Sequence, residues 1–280
     1  MTKRLIILII LFNCLSLSIG YAQFSPSLQN YTLAEYKAGN QNWDISRADN
    51  GKVYVANSSG LLEYDALLWK LYQLPNKTTV RSVLTVDDIV YTGSYEEFGY
   101  WQEDEFGLLK YHSLSNTILD KISPNEEIWG IVKFKDKIIF RSFLNTYIYD
   151  YNQVVQLKSD SIIISFSVIE DDLYVSTLSE GVFLLKENKL EPFYFNDLLV
   201  DTKIISINKY DDKLLLMTSL KGSFFLKNGT LIPTNFQINE KIKQHQLNNF
   251  SILKNGEMVF GTIKDGAFFN RPFGEFKISC

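Results

Sequence analysis

The chain has 280 residues, with 28 Lys and Arg against 32 Asp and Glu, for a formal net charge of −4. This mildly acidic balance, with no basic run, excludes the clustered Lys/Arg face of a nucleic-acid-binding protein, and no direct nucleic-acid contact is expected. Twenty Phe, 16 Tyr and 4 Trp against only 6 Pro suit half-buried pleated surfaces.

In chain order, Met1–Arg4 is short and basic, Leu5–Ile19 is apolar apart from Asn13 and Cys14, and Gly20-Tyr21-Ala22 places small residues before Gln23. This is the plan of a secretory signal peptide, residues 1–22, and it implies an exported protein, periplasmic or secreted. An uncleaved anchor is the competing reading, but a run of about 15 residues is short for a span of about 20. A lipoprotein with Cys14 as the lipidated residue is disfavoured by the bulk of Asn13. Processing leaves 258 residues (280 less 22), a charge of −6 without Lys3 and Arg4, and Cys280 alone, so no disulfide framework is expected.

Residues 23–40 read as a linker with a strand over Tyr31–Tyr36. From residue 41 one pattern recurs: an apolar run, a polar turn and a second apolar run. Trp43-Asp44-Ile45-Ser46 leads through Asp49-Asn50-Gly51 to Val53-Tyr54-Val55, and Arg81-Ser82-Val83-Leu84 through Asp87-Asp88 to Ile89-Val90-Tyr91. Later turns are marked by Asp136, Asp171, Asp211 and Asn255, giving spacings of 38, 49, 35, 40 and 44 residues. Each turn supplies residues that tolerate tight or left-handed backbone. A small polar break and a glycine follow in five copies, at Gly60, Gly99, Gly181, Gly222 and Gly266; the third copy has Thr146-Tyr147 instead. A fourth short strand closes most copies.

Four antiparallel strands per repeat of about 40 residues describe a blade, and the fold class is an all-β propeller with six visible blades near 41–75, 80–114, 128–158, 162–195, 203–236 and 247–280. An open sandwich with even spacing is the alternative.

The stretch "QNWDISRADNGKVYVANSSGLLEYDALLWKLY", residues 41–72, with "VRSVLTVDDIVYTGSYEEFGYW", residues 80–101, resembles the N-terminal sensor propeller of bacterial transmembrane regulators, especially of Bacteroidetes, described as two-component-regulator propeller proteins with a triple-tyrosine sandwich. The resemblance implies a periplasmic propeller, commonly of seven blades. It also implies a later sandwich, a membrane helix and a kinase or helix-turn-helix regulator, all lying beyond this chain. On that basis the chain is expected to be a truncated member, with Tyr31–Tyr36 suited to pair with a final blade; a complete six-bladed protein is the alternative.

Catalytic and metal signatures are scarce. His112 and His245 are far apart without metal spacing, and there is no nucleophile elbow, Cys/His pair or phosphate loop, so neither metal nor cofactor is expected. Asp87-Asp88, Asp171-Asp172 and Asp211-Asp212 read as turn formers on a solvated rim. In a blade the innermost strand lines the channel, so its start and the end of the second strand converge on the opposite mouth. Those positions hold Trp43, Asn57, Arg81, Tyr95, Glu96, Trp129 and Arg141, a set suited to a glycan or peptide through stacking and charge-assisted hydrogen bonds.

The expected function is therefore non-enzymatic sensing, passed on by a change in packing or dimer arrangement. A secreted propeller that binds or degrades polysaccharide, and a protein-interaction scaffold, are the alternatives. The gene read beyond codon 280 is expected to continue into a sandwich, a membrane helix and a regulator module. A stop codon with a stable secreted 258-residue product would count against the sensor reading.

Overall fold

The computed structural model describes residues 29–271 and 274–278. The expected signal peptide lies outside the described residues. Six sheets follow one another, each of four consecutive antiparallel strands. Blade I holds β1 (Asn42–Arg47), β2 (Val53–Asn57), β3 (Gly60–Tyr64) and β4 (Trp69–Tyr72). Blade II holds β5 (Val80–Val86), β6 (Ile89–Ser94), β7 (Phe98–Glu103) and β8 (Leu109–Ser113). Blade III holds β9 (Gly130–Phe134), β10 (Lys137–Arg141), β11 (Thr146–Tyr149) and β12 (Val154–Leu157). Blade IV holds β13 (Ile163–Ile169), β14 (Asp172–Thr177), β15 (Val182–Lys186) and β16 (Lys189–Tyr194). Blade V holds β17 (Ile204–Tyr210), β18 (Lys213–Thr218), β19 (Ser223–Lys227) and β20 (Thr230–Pro233). Blade VI holds β21 (Leu247–Ile252), β22 (Met258–Thr262), β23 (Ala267–Arg271) and β24 (Gly274–Ile278). The architecture is a six-bladed β-propeller.

Alternation along the second strand of a blade explains why the sheets stack. On β18, Leu215 and Met217 enter the core shared with blade VI beside Phe250 and Phe260, while Leu216 enters the core shared with blade IV, which Val182 also joins. On β10, Ile138 and Phe140 face blade II and Ile139 faces blade IV. Successive side chains of a strand point to opposite faces, and here both faces are covered. These strands therefore read as continuous apolar runs, not as an apolar/polar alternation.

Three of the recurring glycines have the same steric cause. A Cβ at Gly60 would lie 2.3 Å from the Tyr72 carbonyl oxygen, one at Gly181 2.4 Å from that of Tyr194, and one at Gly99 2.1 Å from that of His112. The third strand thus begins against the backbone at the end of the fourth. In blade III, Ser142 shapes the turn instead: its Oγ accepts from the backbone N–H of Leu144 at 3.0 Å and of Asn145 at 2.8 Å.

One local expectation changes, and one helix was not foreseen. The strand expected over Tyr31–Tyr36 is replaced by one helical turn, α1 (Leu33–Tyr36), with the Tyr36 ring 6.0 Å from that of Trp69. An eight-residue helix, α2 (Ile238–His245), fills the connection between blades V and VI and buries Ile238 and Ile242.

Gly60 combines φ +140° with the Tyr72 contact, whereas Gly51, at φ +90°, has open space where a Cβ would stand. Gly60→Ala is expected to lower stability in urea denaturation by about 2–4 kcal/mol. Gly51→Ala is expected to lower it by about 1–2 kcal/mol, the cost of the left-handed backbone alone.

Candidate functional site

The inner strands carry a repeated irregularity that builds the site. Register against the second strand slips by one residue near the start of β1, β5, β13, β17 and β21. The extra residues are Trp43, Arg81, Ile164, Ile205 and Asn248, and all five line one cavity of about 590 Å³. A bulge leaves one residue outside the ladder and re-aims its side chain, and here it does so once in every blade but the third. Blade III contributes Trp129, just before β9, whose backbone N–H donates to the Arg141 carbonyl at 2.8 Å. The ring is uneven: blades I–III supply Trp, Arg and Trp, and blades IV–VI supply Ile, Ile and Asn.

Arg81 holds the aromatic side together. Its guanidinium carbon lies 4.1 Å from the ring centroid of Trp43 and 4.8 Å from that of Trp129. The two indoles meet edge-on at 5.7 Å. A cation over an aromatic face contributes roughly 0.5–2 kcal/mol, more as it is desolvated. Arg81 Nε and Nη2 both donate to Glu127 Oε1, at 3.1 and 2.7 Å, so the charge is fixed as well as stacked. Trp43 remains 38% exposed on the channel side, and Phe143, 54% exposed, packs on Trp129 at 5.4 Å.

Arg141 lies deeper, beside Gly130, where a Cβ would come within 3.3 Å of its Nη2. Among the described residues its guanidinium makes one hydrogen bond, a long one from Nη1 to the Ile163 carbonyl at 3.4 Å. Desolvation lowers its pKa to about 10, which leaves it charged at neutral pH. Asp44 also lines the cavity, but its oxygens accept from the backbone N–H groups of Ile45 (2.8 Å) and Val83 (3.0 Å). Burial raises its pKa against the opposing effect of those bonds.

Trp43, Arg81, Trp129 and Arg141 are thus brought together, and the other three expected residues are not. Asn57 is fully buried and occupied locally: its amide donates to the Gly39 carbonyl (2.7 Å) and Asn42 Oδ1 (2.8 Å), and its Oδ1 accepts from the Gly39 and Ser59 N–H groups. Tyr95 and Glu96 are captured by the connection between blades II and III. The Tyr95 hydroxyl donates to Asn125 Oδ1 at 2.6 Å, and Glu96 Oε1 accepts from the Asn125 N–H at 2.5 Å.

That connection, residues 114–129, accounts for the 49-residue spacing, and it carries what sequence reasoning missed. Glu127 turns to Arg81, while Glu126 turns inward and is buried. Glu126 accepts from the Ser142 hydroxyl, Asn145 Nδ2 (3.0 Å), the Tyr147 hydroxyl (2.8 Å) and the Ser123 N–H (3.0 Å). Burial, reinforced by the bond to Glu126, raises the Tyr147 pKa far above its usual range. The excess length of this one repeat, and the adjacent acids Glu126 and Glu127 just ahead of Ile128-Trp129, were the available signals.

Among the described residues no group of three or more His, Cys, Asp or Glu is placed to hold a metal ion, and no helix is long and apolar enough to cross a membrane.

No protein-family model matches the sequence, and no curated protein matches it. Solved structures do. The extracellular domain of BT4673 from B. thetaiotaomicron, described as a hybrid two-component system, superposes with a TM-score of 0.65 at 15% identity, covering 87% of this chain and 33% of that one. YCF48 bound to D1 peptide gives 0.61 at 10% identity, with 90% and 86% covered. The WD40 propeller of Doa1 gives 0.57 at 11%, with 82% and 79% covered. Similarity at these identities shows the propeller fold. The chain spans about a third of the length of the BT4673 domain.

Glu126→Ala leaves two buried hydroxyl donors, of Ser142 and Tyr147, and two half-buried N–H donors facing a missing acceptor, and is expected to lower stability in urea by about 2–4 kcal/mol. Glu127→Gln keeps an oxygen for Arg81 nearer the surface, and is expected to cost about 1 kcal/mol or less in the same measurement.

Proposed function

We propose that the chain is the ligand-sensing propeller of an exported transmembrane signalling protein, of the two-component-regulator type, and that it takes a polar ligand at the mouth of its channel. One observation carries this reading. Bulges on five of the six inner strands re-aim one residue each into one cavity, and blades I–III place Arg81 there against the indoles of Trp43 and Trp129. Trp43 offers a partly exposed aromatic surface for stacking, and the charged groups offer orientation. The fold shared with the extracellular domain of a hybrid two-component system, together with the leader-like N-terminus, supports the exported setting.

Binding without catalysis is the reading favoured by the lining residues. Among them Asp44 is the single carboxylate, and two backbone N–H groups already engage it. Glycoside hydrolysis by the usual route needs two carboxyl groups facing one bond. The signal would pass to downstream modules through blade packing or dimer arrangement.

Trp43→Ala in the intact gene is expected to reduce the induced response to its basal level, while the melting temperature of the protein shifts by less than about 4 °C. Normal induction by that variant, secreted at wild-type level, would overturn the proposal.

A further inference from the structure

The charges along the channel are unevenly satisfied. Arg81 is paired with Glu127, and Asp44 is held by backbone amides. Arg141 and Lys203 also line the cavity, and no carboxylate lies within 4.0 Å of either among the described residues. Arg141 has only the long bond to Ile163, so a guanidinium with five N–H donors is left nearly unpartnered in a partly desolvated wall. A buried cation normally finds a partner, and its absence here is a cost without return unless something else supplies the negative charge.

The surrounding groups would receive such an anion. Asn248 and Asn249 line the same cavity from blade VI and make no side-chain hydrogen bond among the described residues. Trp129 Nε1 is a buried donor with no acceptor. The volume, about 590 Å³, lies within the range of small-molecule sites, roughly 300–1,000 Å³. We infer that the channel takes an oxyanion-bearing sugar, with its carboxylate or sulfate docked on Arg141 and Lys203 and its ring against Trp43. This rests on the proposal that the channel mouth is the ligand site, and adds the ligand's charge and the residues that read it. Arg81, already paired with Glu127, packs against both indoles and leaves the ligand's charge to Arg141 and Lys203.

Calorimetric titration of the purified protein at low ionic strength tests this with three probes: digalacturonate, its methyl ester and galactose 6-sulfate. At least one free oxyanion is expected to bind, about tenfold or more tighter than the ester, with affinity falling as salt is added. Digalacturonate alone identifies a carboxylate site, and the sulfated sugar alone a sulfate site. Arg141→Gln and Lys203→Gln are each expected to weaken the oxyanion about tenfold and leave the ester unchanged. Lys203 is exposed, so its variant remains informative should Arg141→Gln unfold. Binding of the ester as tightly as the acid, no binding of either oxyanion, or wild-type affinity in the Lys203 variant overturns the inference. Binding of acid and ester alike that Trp43→Ala abolishes would overturn only the charge assignment and leave the mouth site standing.

Discussion

A sheet of four short strands with two apolar faces cannot be stable alone, and every other feature of this chain follows from how those faces are covered. Leu216 serves one neighbouring blade while Leu215 and Met217, on the same strand, serve the other. Burial of apolar surface at about 25 cal/mol per Å² is therefore shared between successive blades, and no blade holds a core of its own. Stacking fixes the innermost strands side by side around an axis. Their starts converge because the blades must pack, before any ligand is considered.

Convergence alone would bring backbone edges to the channel. The bulges bring side chains, one each from β1, β5, β13, β17 and β21, and chemistry is then a matter of which residue occupies each position. Blades I–III place a cation between two aromatic faces and fix it with a carboxylate, so the desolvation of Arg81 is offset on three sides. Blades IV–VI leave the opposite wall aliphatic, with amides and a lysine. The cavity is polarised as a result, with its charged and aromatic groups concentrated on one side.

Much of this was legible in the sequence. Turn, glycine and aromatic recurred in the same order, and the steric reason is plain at Gly60, where the Tyr72 carbonyl occupies the space of a side chain. Trp43, Arg81, Trp129 and Arg141 could be placed because the ends of strands one and two must meet at one mouth. Asn57 obeyed the same rule by position but not by environment: Gly39 packs close enough to draw its amide into a local network. Tyr95 and Glu96 were diverted by the long connection before blade III, whose length was visible but whose Asn125 contacts depend on tertiary structure. Ile238 and Ile242 sit four apart in an otherwise polar stretch, too short a helical signal to stand out from strands on either side. The bulges left no periodic trace, since one extra residue is invisible to an alternation count.

The central claim is that Trp43, Arg81 and Trp129 form one unit at the ligand site, and the four tryptophans make it measurable. Trp69 stacks on Tyr64 in blade I and Trp101 is buried between blades I and II, so both are internal references. In a 5-fluorotryptophan-labelled protein with resonances assigned by Trp→Phe variants, Arg81→Ala is expected to shift Trp43 and Trp129 while Trp69 and Trp101 stay in place. Adding an oxyanion-bearing sugar is expected to shift the same two in the wild-type protein. Independent behaviour of Trp43 and Trp129 in the Arg81 variant, or a ligand response confined to Trp69 or Trp101, would contradict the account.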